Sequence, residues 1–252
     1  MPLLVFQLQA PLSAWGDTAV GEYRPSHDYP GISTLVGLLG AALGLRREDE
    51  AAHAALRDAY GYAVGLQSSG KLLRDYHTAQ VPSQASLKKR PHASRRDELA
   101  IPRHDLNTIL STRDYRQDAG FLVAVQAGDD SPYSLATLGD ALRKPRFVLY
   151  LGRKACPPGA PLHPQLIEAV TAEQAFDSYL ARLTEAIAKL DGSTHVASHE
   201  LPLPVERIAW GKGIAVGLAP DLTVTRKDRP LRRTGWQFGD RSEHLALIRK
   251  EA

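Results

Sequence analysis

The sequence contains almost no cysteine and no long hydrophobic run, and both absences restrict what the protein does. Cys156 is the one cysteine among 252 residues, which excludes an internal disulfide framework and a zinc site built from cysteines. Such sparing use of cysteine fits a reducing cytoplasm, where we expect the protein to be. The apolar runs are too short to cross a bilayer, and no basic segment precedes the first of them. We therefore predict neither a membrane partner nor a signal peptide.

Net charge is also low, at +3, but the positive charge is unevenly distributed. The windows 71–116, 143–154 and 226–233 together carry 20 of the 31 lysines and arginines. Clusters of like charge repel one another unless a polyanion or an acidic partner neutralises them. This pattern favours nucleic acid as the partner, and a scaffold that faces acidic proteins is the weaker alternative.

A glycine-rich segment at residues 30–44 predicts an unusual helix. Ser33 or Thr34 is a suitable N-cap, and Gly37, Gly40 and Gly44 recur at helical spacing. Glycine costs about 1 kcal/mol relative to alanine inside a helix, so we expect another backbone to lie against the glycine face. The free N–H groups of the first turn would suit a phosphate. A tightly packed core helix is the alternative, and without a Gly-Lys-Ser/Thr end the segment is not a nucleotide-binding P-loop.

The order of the predicted elements indicates an α+β protein. Strands are predicted at 3–9, 62–67, 71–77, 120–126 and 146–151, with helices at 33–44, 48–62, 134–142 and 171–190. This order is typical of a ferredoxin-like domain, the scaffold of RNA-recognition domains. We expect that domain to span 1–155, and a smaller part with a helix and β-rich region to span 156–252.

Residues 80–119 separate two of the predicted strands and show little apolar periodicity. So long an insertion in a compact domain is usually functional or disordered. We interpret it as a protruding arm that becomes ordered on a partner, with a merely flexible insertion as the alternative. Its predicted contacts with nucleic acid or partner proteins are Lys88, Lys89, Arg90, Arg95, Arg96, Arg103, Tyr115 and Arg116.

The window 143–154 places five basic residues around one predicted strand without a single acidic residue. Tyr150 lies at the end of this strand, beside a turn at Gly152 that lets another backbone approach. An aromatic ring flanked by Arg146, Arg153 and Lys154 is suited to base stacking and phosphate pairing. A solvated basic face is an equally weighted alternative.

Several segments resemble the CasD family of subunits from Cascade, the RNA-guided surveillance complex of type I-E CRISPR systems. The matching segments run in the same order from residue 3 to about residue 165. They comprise the first strand with Ser13-Ala14-Trp15-Gly16, the glycine-rich helix, Arg74-Asp75-Tyr76-His77-Thr78, Arg113-Asp114-Tyr115-Arg116, and the stretch from Lys144-Pro145-Arg146 through Tyr150 to Cys156-Pro157.

The resemblance implies a ferredoxin-like body with a protruding thumb-like arm, which matches the insertion. It also implies a non-catalytic subunit that binds and caps the repeat-derived 5′ handle of CRISPR RNA. It implies contacts with the backbone subunit and the large subunit of Cascade, and with target DNA through the assembled complex. No cofactor, metal ion or catalytic residue is expected. The predicted RNA-binding residues are Arg24, Ser33, Thr34, Gly37, Gly40, Tyr76, His77, Arg146, Tyr150, Gly152, Arg153 and Lys154.

A metal-independent endoribonuclease that processes CRISPR repeat RNA is the alternative function, because a related subunit of type I-C systems has that activity. RNA cleavage by 2′-OH attack needs a general base, an acid and a cation at one phosphate. Tyr76, His77, Tyr150 and Lys154 are residues of the right types. The same types also suit stacking and phosphate binding, so their identity alone does not decide between the two functions.

Overall fold

One large, mainly antiparallel sheet organises the protein. The computed structural model describes residues 2–88, 90, 93–191 and 202–249, and within them the structure has one nine-stranded sheet and one two-stranded sheet. The strands are β1 (Pro2–Ser13), β2 (Trp15–Gly16), β3 (Tyr23–Arg24), β4 (Ser26–His27), β5 (Tyr60–Ser68), β6 (Lys71–Pro82), β7 (Leu106–Ala127), β8 (Gln165–Glu168), β9 (Arg207–Trp210), β10 (Leu222–Arg232) and β11 (Gln237–Leu247). The helices are α1 (Ile32–Leu43), α2 (Glu50–Asp58), α3 (Gln84–Leu87), α4 (Arg95–Leu99), α5 (Leu135–Arg143) and α6 (Ala172–Asp191), with a 3₁₀ turn at Arg103–Asp105.

Both faces of the central strands are buried, which explains why β1 is a continuous apolar run. Leu4 and Phe6 belong to the core beneath α1, α2 and α5, whereas Leu3 and Val5 belong to the core beneath α6. Side chains alternate between the two faces of a strand, so a strand covered on both sides needs apolar residues throughout. The predicted helices at the glycine-rich segment and after Thr171 therefore lie on opposite faces of the same sheet.

The C-terminal strands extend the same sheet as the N-terminal ones. The strand order is β10-β11-β9-β5-β7-β1-β8, and β9 pairs antiparallel with β5. The hairpin of β10 and β11 thus forms one end of the sheet. The division of the chain into two parts at residue 155 stays a prediction.

The predicted arm is a long β-ribbon with a partly helical tip. β6 pairs with β7 continuously from Lys71 opposite Gln117 to Pro82 opposite Leu106. The short helices α3 and α4 and the 3₁₀ turn lie at the tip, and none of them contains a buried residue. Within the predicted insertion 80–119, β7 begins at Leu106, and with 22 residues it serves both the ribbon and the core.

The predicted strand at 146–151 is an irregular loop, and this prediction was wrong. The N–H groups of Arg146 and Phe147 donate to the carbonyls of Ala42 and Ala41, at the C-terminal end of α1. The last carbonyls of a helix lack their usual partners four residues on, and although Ala41 also accepts from Gly44 N–H at 3.1 Å, the segment completes the helix end instead of pairing with a strand. We call residues 144–156 the basic loop. The neighbour of β1 at the sheet edge is β8.

The predicted N-cap of the glycine-rich helix was also wrong. α1 begins after Gly31, which has no side chain to cap it. The carboxylate of Asp228, on β10, accepts a hydrogen bond from the N–H of Ile32 at 3.0 Å. A carboxylate at this position satisfies the helix start and interacts favourably with its partial positive charge. The helix start therefore does not have the free, positive character that we expected to suit a phosphate.

Asp228 belongs to a buried cluster of charges that joins β10 to β11. Arg241 donates from Nε to Asp228 Oδ1 at 2.6 Å, and Arg226 donates from Nη1 to Glu243 Oε2 at 3.1 Å. The hydroxyl of Tyr29, just before α1, donates to the same Glu243 oxygen at 2.6 Å. Arg226 is only 6% exposed, so this part of the basic window 226–233 lies inside a strand and is not a solvated surface.

Replacing Asp228 by alanine is expected to destabilise the fold strongly. The change removes the cap of α1 and leaves Arg241 without one of its partners. Loss of one member of a buried ion pair costs about 3–5 kcal/mol, so we expect the free energy of unfolding to fall by that amount in urea denaturation. Asp140→Ala is the control, because the ion pair of Asp140 with Arg143 is 78% exposed on the Asp140 side and should contribute about 0.5 kcal/mol. Similar small losses in both variants would contradict the capping role.

Candidate nucleic-acid interface

A cleft beside α1 brings together seven of the predicted RNA-binding residues. It has a volume of about 370 Å³ and lies between the basic loop, α1 and residues 230–238, which we call the hairpin tip. The predicted residues that line it are Arg24, Ser33, Thr34, Gly37, Tyr150, Gly152 and Arg153. They come from three separate segments of the sequence, and the fold alone brings them to one place.

Gly152 fixes the basic loop against the end of β1. Its φ is +86°, and a Cβ at this position would lie 1.7 Å from the carbonyl oxygen of Ala14. The neighbouring Leu151 accepts a hydrogen bond from Ala14 N–H at 3.1 Å and donates to the carbonyl of Cys156 at 2.7 Å. Only glycine fits this conformation and this approach. The loop therefore holds Tyr150, which is 38% exposed, at the edge of the cleft.

Arg153 ties the basic loop to the base of the arm. Its guanidinium donates from Nη1 to the carbonyl of Asp114 at 2.9 Å and from Nη2 to the carbonyl of Arg24 at 3.0 Å. It also lies 4.6 Å from the ring centre of Tyr115. Tyr115, predicted as an arm contact, is thus buried beneath Arg153 at the base of the ribbon, so these contacts give Arg153 a clear positioning role.

The motif that begins at Arg74 and the motif that begins at Arg113 face each other across the ribbon, and together they position the segment that contains Arg24. Arg74 lies opposite Asp114, and its Nε donates to the carboxylate at 2.9 Å. The hydrogen bond from Arg74 lowers the pKa of Asp114, and the hydrogen bond to Asp114 raises the pKa of Tyr23. Because Tyr23 also receives a hydrogen bond from Arg74 at 2.9 Å, the cluster fixes β3 beside β7. Arg24, the next residue, is thereby held at the cleft.

The glycines of α1 make room for side chains, and the expected close approach of another backbone was wrong. A Cβ on Gly37 would lie 3.1 Å from Nη2 of Arg233, and a Cβ on Gly40 would lie 2.7 Å from Cε1 of His53. Gly40 is buried on the side of α2 and does not line the cleft. Gly37 lines the cleft and supports a guanidinium there.

The wall opposite the basic loop contains candidate binding residues that we did not predict. Trp236 is 57% exposed and Phe238 is 37% exposed, and their rings stack with centres 6.3 Å apart. The guanidinium of Arg47 lies 4.4 Å from the ring centre of Trp236. Arg232 and Arg233 line the same wall. The signal in the sequence was a basic run followed by two aromatic residues. Only the fold shows that these residues lie in the same cleft as Tyr150.

The remaining predicted RNA-binding residues do not line the cleft. Arg146 packs against Gly44 past the C-terminal end of α1, and Lys154 is exposed elsewhere on the basic loop. Tyr76 and His77 are consecutive residues of β6, so their side chains point to opposite faces of the ribbon. Of the four residues considered for ribonuclease chemistry, the cleft therefore contains only Tyr150.

The arm cations lie apart from the cleft, at the exposed tip. Those that the structure describes are Lys88, Arg90, Arg95, Arg96 and Arg103, whereas Lys89 lies outside the described residues. Arg95 pairs with Glu98, and Arg90 donates to the carbonyl of Ala100. Arg116 lies at the base of the ribbon, where its Nε donates to the carbonyl of His27 at 3.2 Å. The arm set thus consists of tip residues and two residues of the ribbon base.

A larger cavity of about 740 Å³ is lined by residues of α1, β5, β9 and β11, but it suits a polyanion less well. Four aspartates line it together with basic residues, and one of these acids, Asp58, already pairs with Arg229 at 3.1 Å. Among the described residues, no group of three or more His, Cys, Asp or Glu side chains is arranged to hold a metal ion. No helix in the described part of the chain has the length and apolar character needed to cross a membrane.

Comparisons with known proteins agree on one family. The sequence model of the family described as CRISPR-associated protein (Cas_Cas5) matches residues 3–242. The chain is 32% identical over 184 residues to the CRISPR system Cascade subunit CasD of Escherichia coli (strain K12), covering 70% of this chain and 76% of that protein.

Solved structures share the fold. A chain of a "CRISPR RNA-guided surveillance complex" superimposes with a TM-score of 0.62 at 21% identity, covering 97% of this chain and 89% of that one. A "Crystal structure of Cas protein" gives a TM-score of 0.57 at 22% identity, covering 97% and 94%. The mixed α/β architecture, with its large antiparallel sheet and few helices, is therefore similar to that of known Cas proteins.

The buried histidine under Gly40 predicts a specific pH dependence of stability. Burial lowers the pKa of His53, whose Nε2 lies 2.9 Å from the carbonyl of Arg46. The unfolded chain takes up a proton near pH 6.5, and the folded protein does so only at lower pH. The contribution of neutral His53 is thus complete above pH 6.5 and is lost as the pH falls toward the folded pKa.

Urea denaturation at several pH values between 7.5 and 5 tests this prediction. The free energy of unfolding should decrease with falling pH in the wild type, and less steeply in His53→Gln. His104→Gln is the control, because the His104 side chain is 82% exposed and should leave the wild-type pH dependence unchanged. An unchanged dependence in His53→Gln would contradict the prediction.

Proposed function

The chain belongs to the Cas5 family of CRISPR-associated proteins, and from this we propose that it is a Cascade-type subunit that binds the repeat-derived 5′ handle of CRISPR RNA. The observation that carries the proposal is the cleft beside α1. It combines exposed aromatic rings with arginines, one of which lies over Gly37, and none of these depends on a particular base sequence. Such a combination suits an unpaired RNA strand, whose bases stack on rings while its phosphates pair with cations.

The finer fold assignment belongs to the same proposal. The elements β1, α1, β5, β7, α5 and β8 follow the β-α-β-β-α-β order of a ferredoxin-like domain. Their strands are also neighbours, in the order β5-β7-β1-β8. This supports a ferredoxin-like domain of the RNA-recognition type, with the ribbon of β6 and β7 inserted as its arm.

We propose that the protein binds RNA without cleaving it. Acid–base cleavage would require at least two of the candidate groups within reach of one phosphate. Tyr76 and His77 are on the ribbon and do not line the cleft with Tyr150. This separation supports the binding function over a metal-independent endoribonuclease.

The proposal also includes the partners and the location of the protein. The exposed cations of the arm tip would contact the backbone subunit, the large subunit or target DNA in an assembled complex. The relative named Cascade subunit CasD supports membership of such a complex. A cytoplasmic location would bring the protein together with CRISPR RNA and fits its single, buried Cys156.

Binding and cleavage assays with one labelled CRISPR repeat RNA test the proposal. We expect the wild type to bind the RNA and to leave it intact with and without EDTA. Tyr150→Ala should weaken binding by about 1–3 kcal/mol, because a base stack is lost, without changing the salt dependence. His77→Ala is the matched control on the ribbon and should bind like the wild type. Site-specific cleavage that is lost in His77→Ala or Tyr150→Phe would contradict the proposal and support the ribonuclease.

A further inference from the structure

Arg233 is a partly buried cation on the floor of the cleft. Its guanidinium lies over Gly37, and Tyr150 is near enough to influence it electrostatically. Among the described residues, the structure gives this guanidinium neither a hydrogen bond nor an ion pair, although Glu50 is close by. Glu50 instead accepts hydrogen bonds from the backbone N–H groups of Arg233 and Thr234, at 3.0 and 2.8 Å. The donors of Arg233 therefore remain available to a ligand in the cleft.

Trp236 occupies a backbone position that does not suit tryptophan. Its φ is +51°, in the left-handed region where glycine or asparagine is favoured and other residues are strained. Its ring is nevertheless 57% exposed, so burial of the side chain does not explain its presence. Strained residues of this kind concentrate at ligand-binding sites, where surrounding contacts hold them in place.

The surrounding contacts hold the turn in one arrangement. Arg47 donates from Nε to the carbonyl of Arg233 at 3.0 Å and from Nη2 to the carbonyl of Thr234 at 3.2 Å. Hydrogen bonds from Thr234 and from the backbone of the turn lower the pKa of Glu50 to about 2, so its carboxylate is ionised over the physiological pH range. The backbone that carries Arg233 and Trp236 is therefore fixed before any ligand arrives, which lowers the entropy lost on binding.

From these observations we propose that the hairpin tip is a nucleotide subsite, in which Trp236 stacks on one unpaired RNA base and Arg233 binds the adjoining phosphate. The proposal rests on the RNA-binding function of the cleft and goes beyond it, because it assigns a specific contact to the C-terminal hairpin. The nucleotide would lie between the hairpin tip and Tyr150, in contact with the Arg233 guanidinium. Arg232, which is exposed on the same wall, faces the strand on either side of that nucleotide.

Tryptophan fluorescence provides a direct test, because the other two tryptophans are buried. Trp15 is 1% exposed and Trp210 is 8% exposed, so quenching by a stacked base would report on Trp236. The probe is a synthetic single-stranded RNA with the repeat-derived 5′ sequence of CRISPR RNA, titrated into the full chain. We expect the emission to be quenched on binding, and the quenching to be absent in Trp236→Phe, which retains a ring and should retain affinity within about threefold.

The variant Trp236→Asn separates folding from binding. Asparagine tolerates the left-handed backbone, so the thermal stability should be equal to or higher than that of the wild type. The lost stack should weaken RNA binding by about tenfold or more. Two results together would overturn the subsite while leaving RNA binding in the cleft intact: Trp236→Asn binds the RNA with wild-type affinity, and the RNA leaves the fluorescence of the wild type unchanged.

Arg233→Ala tests the phosphate contact. Loss of one phosphate contact on a single strand should reduce the slope of log K against log salt by about 0.7. Arg182→Ala is the matched control, since Arg182 is an exposed arginine on α6 at the opposite face of the sheet and its loss should not change the slope. An unchanged slope in Arg233→Ala would overturn the assignment of Arg233.

One further outcome bears on both proposals. If the wild type binds no RNA at all, the proposed function fails together with the subsite.

Discussion

The carboxylate of Asp228 is the point on which the arrangement of the cleft depends. It caps the first turn of α1 and pairs with Arg241, so one side chain joins the glycine-rich helix to the C-terminal hairpin. Tyr29 reinforces the same junction through Glu243. A buried charge cluster of this kind fixes relative positions because each member is unfavourable without its partners. The hairpin tip therefore lies beside α1 in a defined position and forms one wall of the cleft.

The arginines of the structure fall into two groups: some have partners inside the fold, and others face the cleft. Arg226 and Arg241 are used inside the hairpin, and Arg153 is tied to backbone carbonyls and to Tyr115. Arg232 and Arg233 face the cleft. The basic residues that cluster in the sequence thus serve two purposes. Some stabilise the fold, and others remain available to a ligand. Only the second group is expected to contribute to the salt dependence of RNA binding.

The sequence was sufficient to predict the features whose cause is local. The apolar run of β1, the helical spacing in α1 and α6 and the long insertion all reflect burial on one or two faces of an element. The predictions failed where a distant partner decides the outcome. The N-cap of α1 comes from Asp228, nearly two hundred residues away. The segment 146–151 has strand-like composition but completes the end of α1, and Trp236 could not be connected to Tyr150 before the sheet order was known.

Photochemical crosslinking tests most directly whether RNA lies in a cleft built from both ends of the chain. CRISPR RNA substituted with 4-thiouridine at single positions of its 5′ handle would be bound, irradiated and mapped by mass spectrometry of the attached peptides. The account predicts that at least one position crosslinks both to the basic loop, at residues 144–156, and to the hairpin tip, at residues 230–238. Crosslinks confined to the arm tip, or to the first turn of α1, would contradict it.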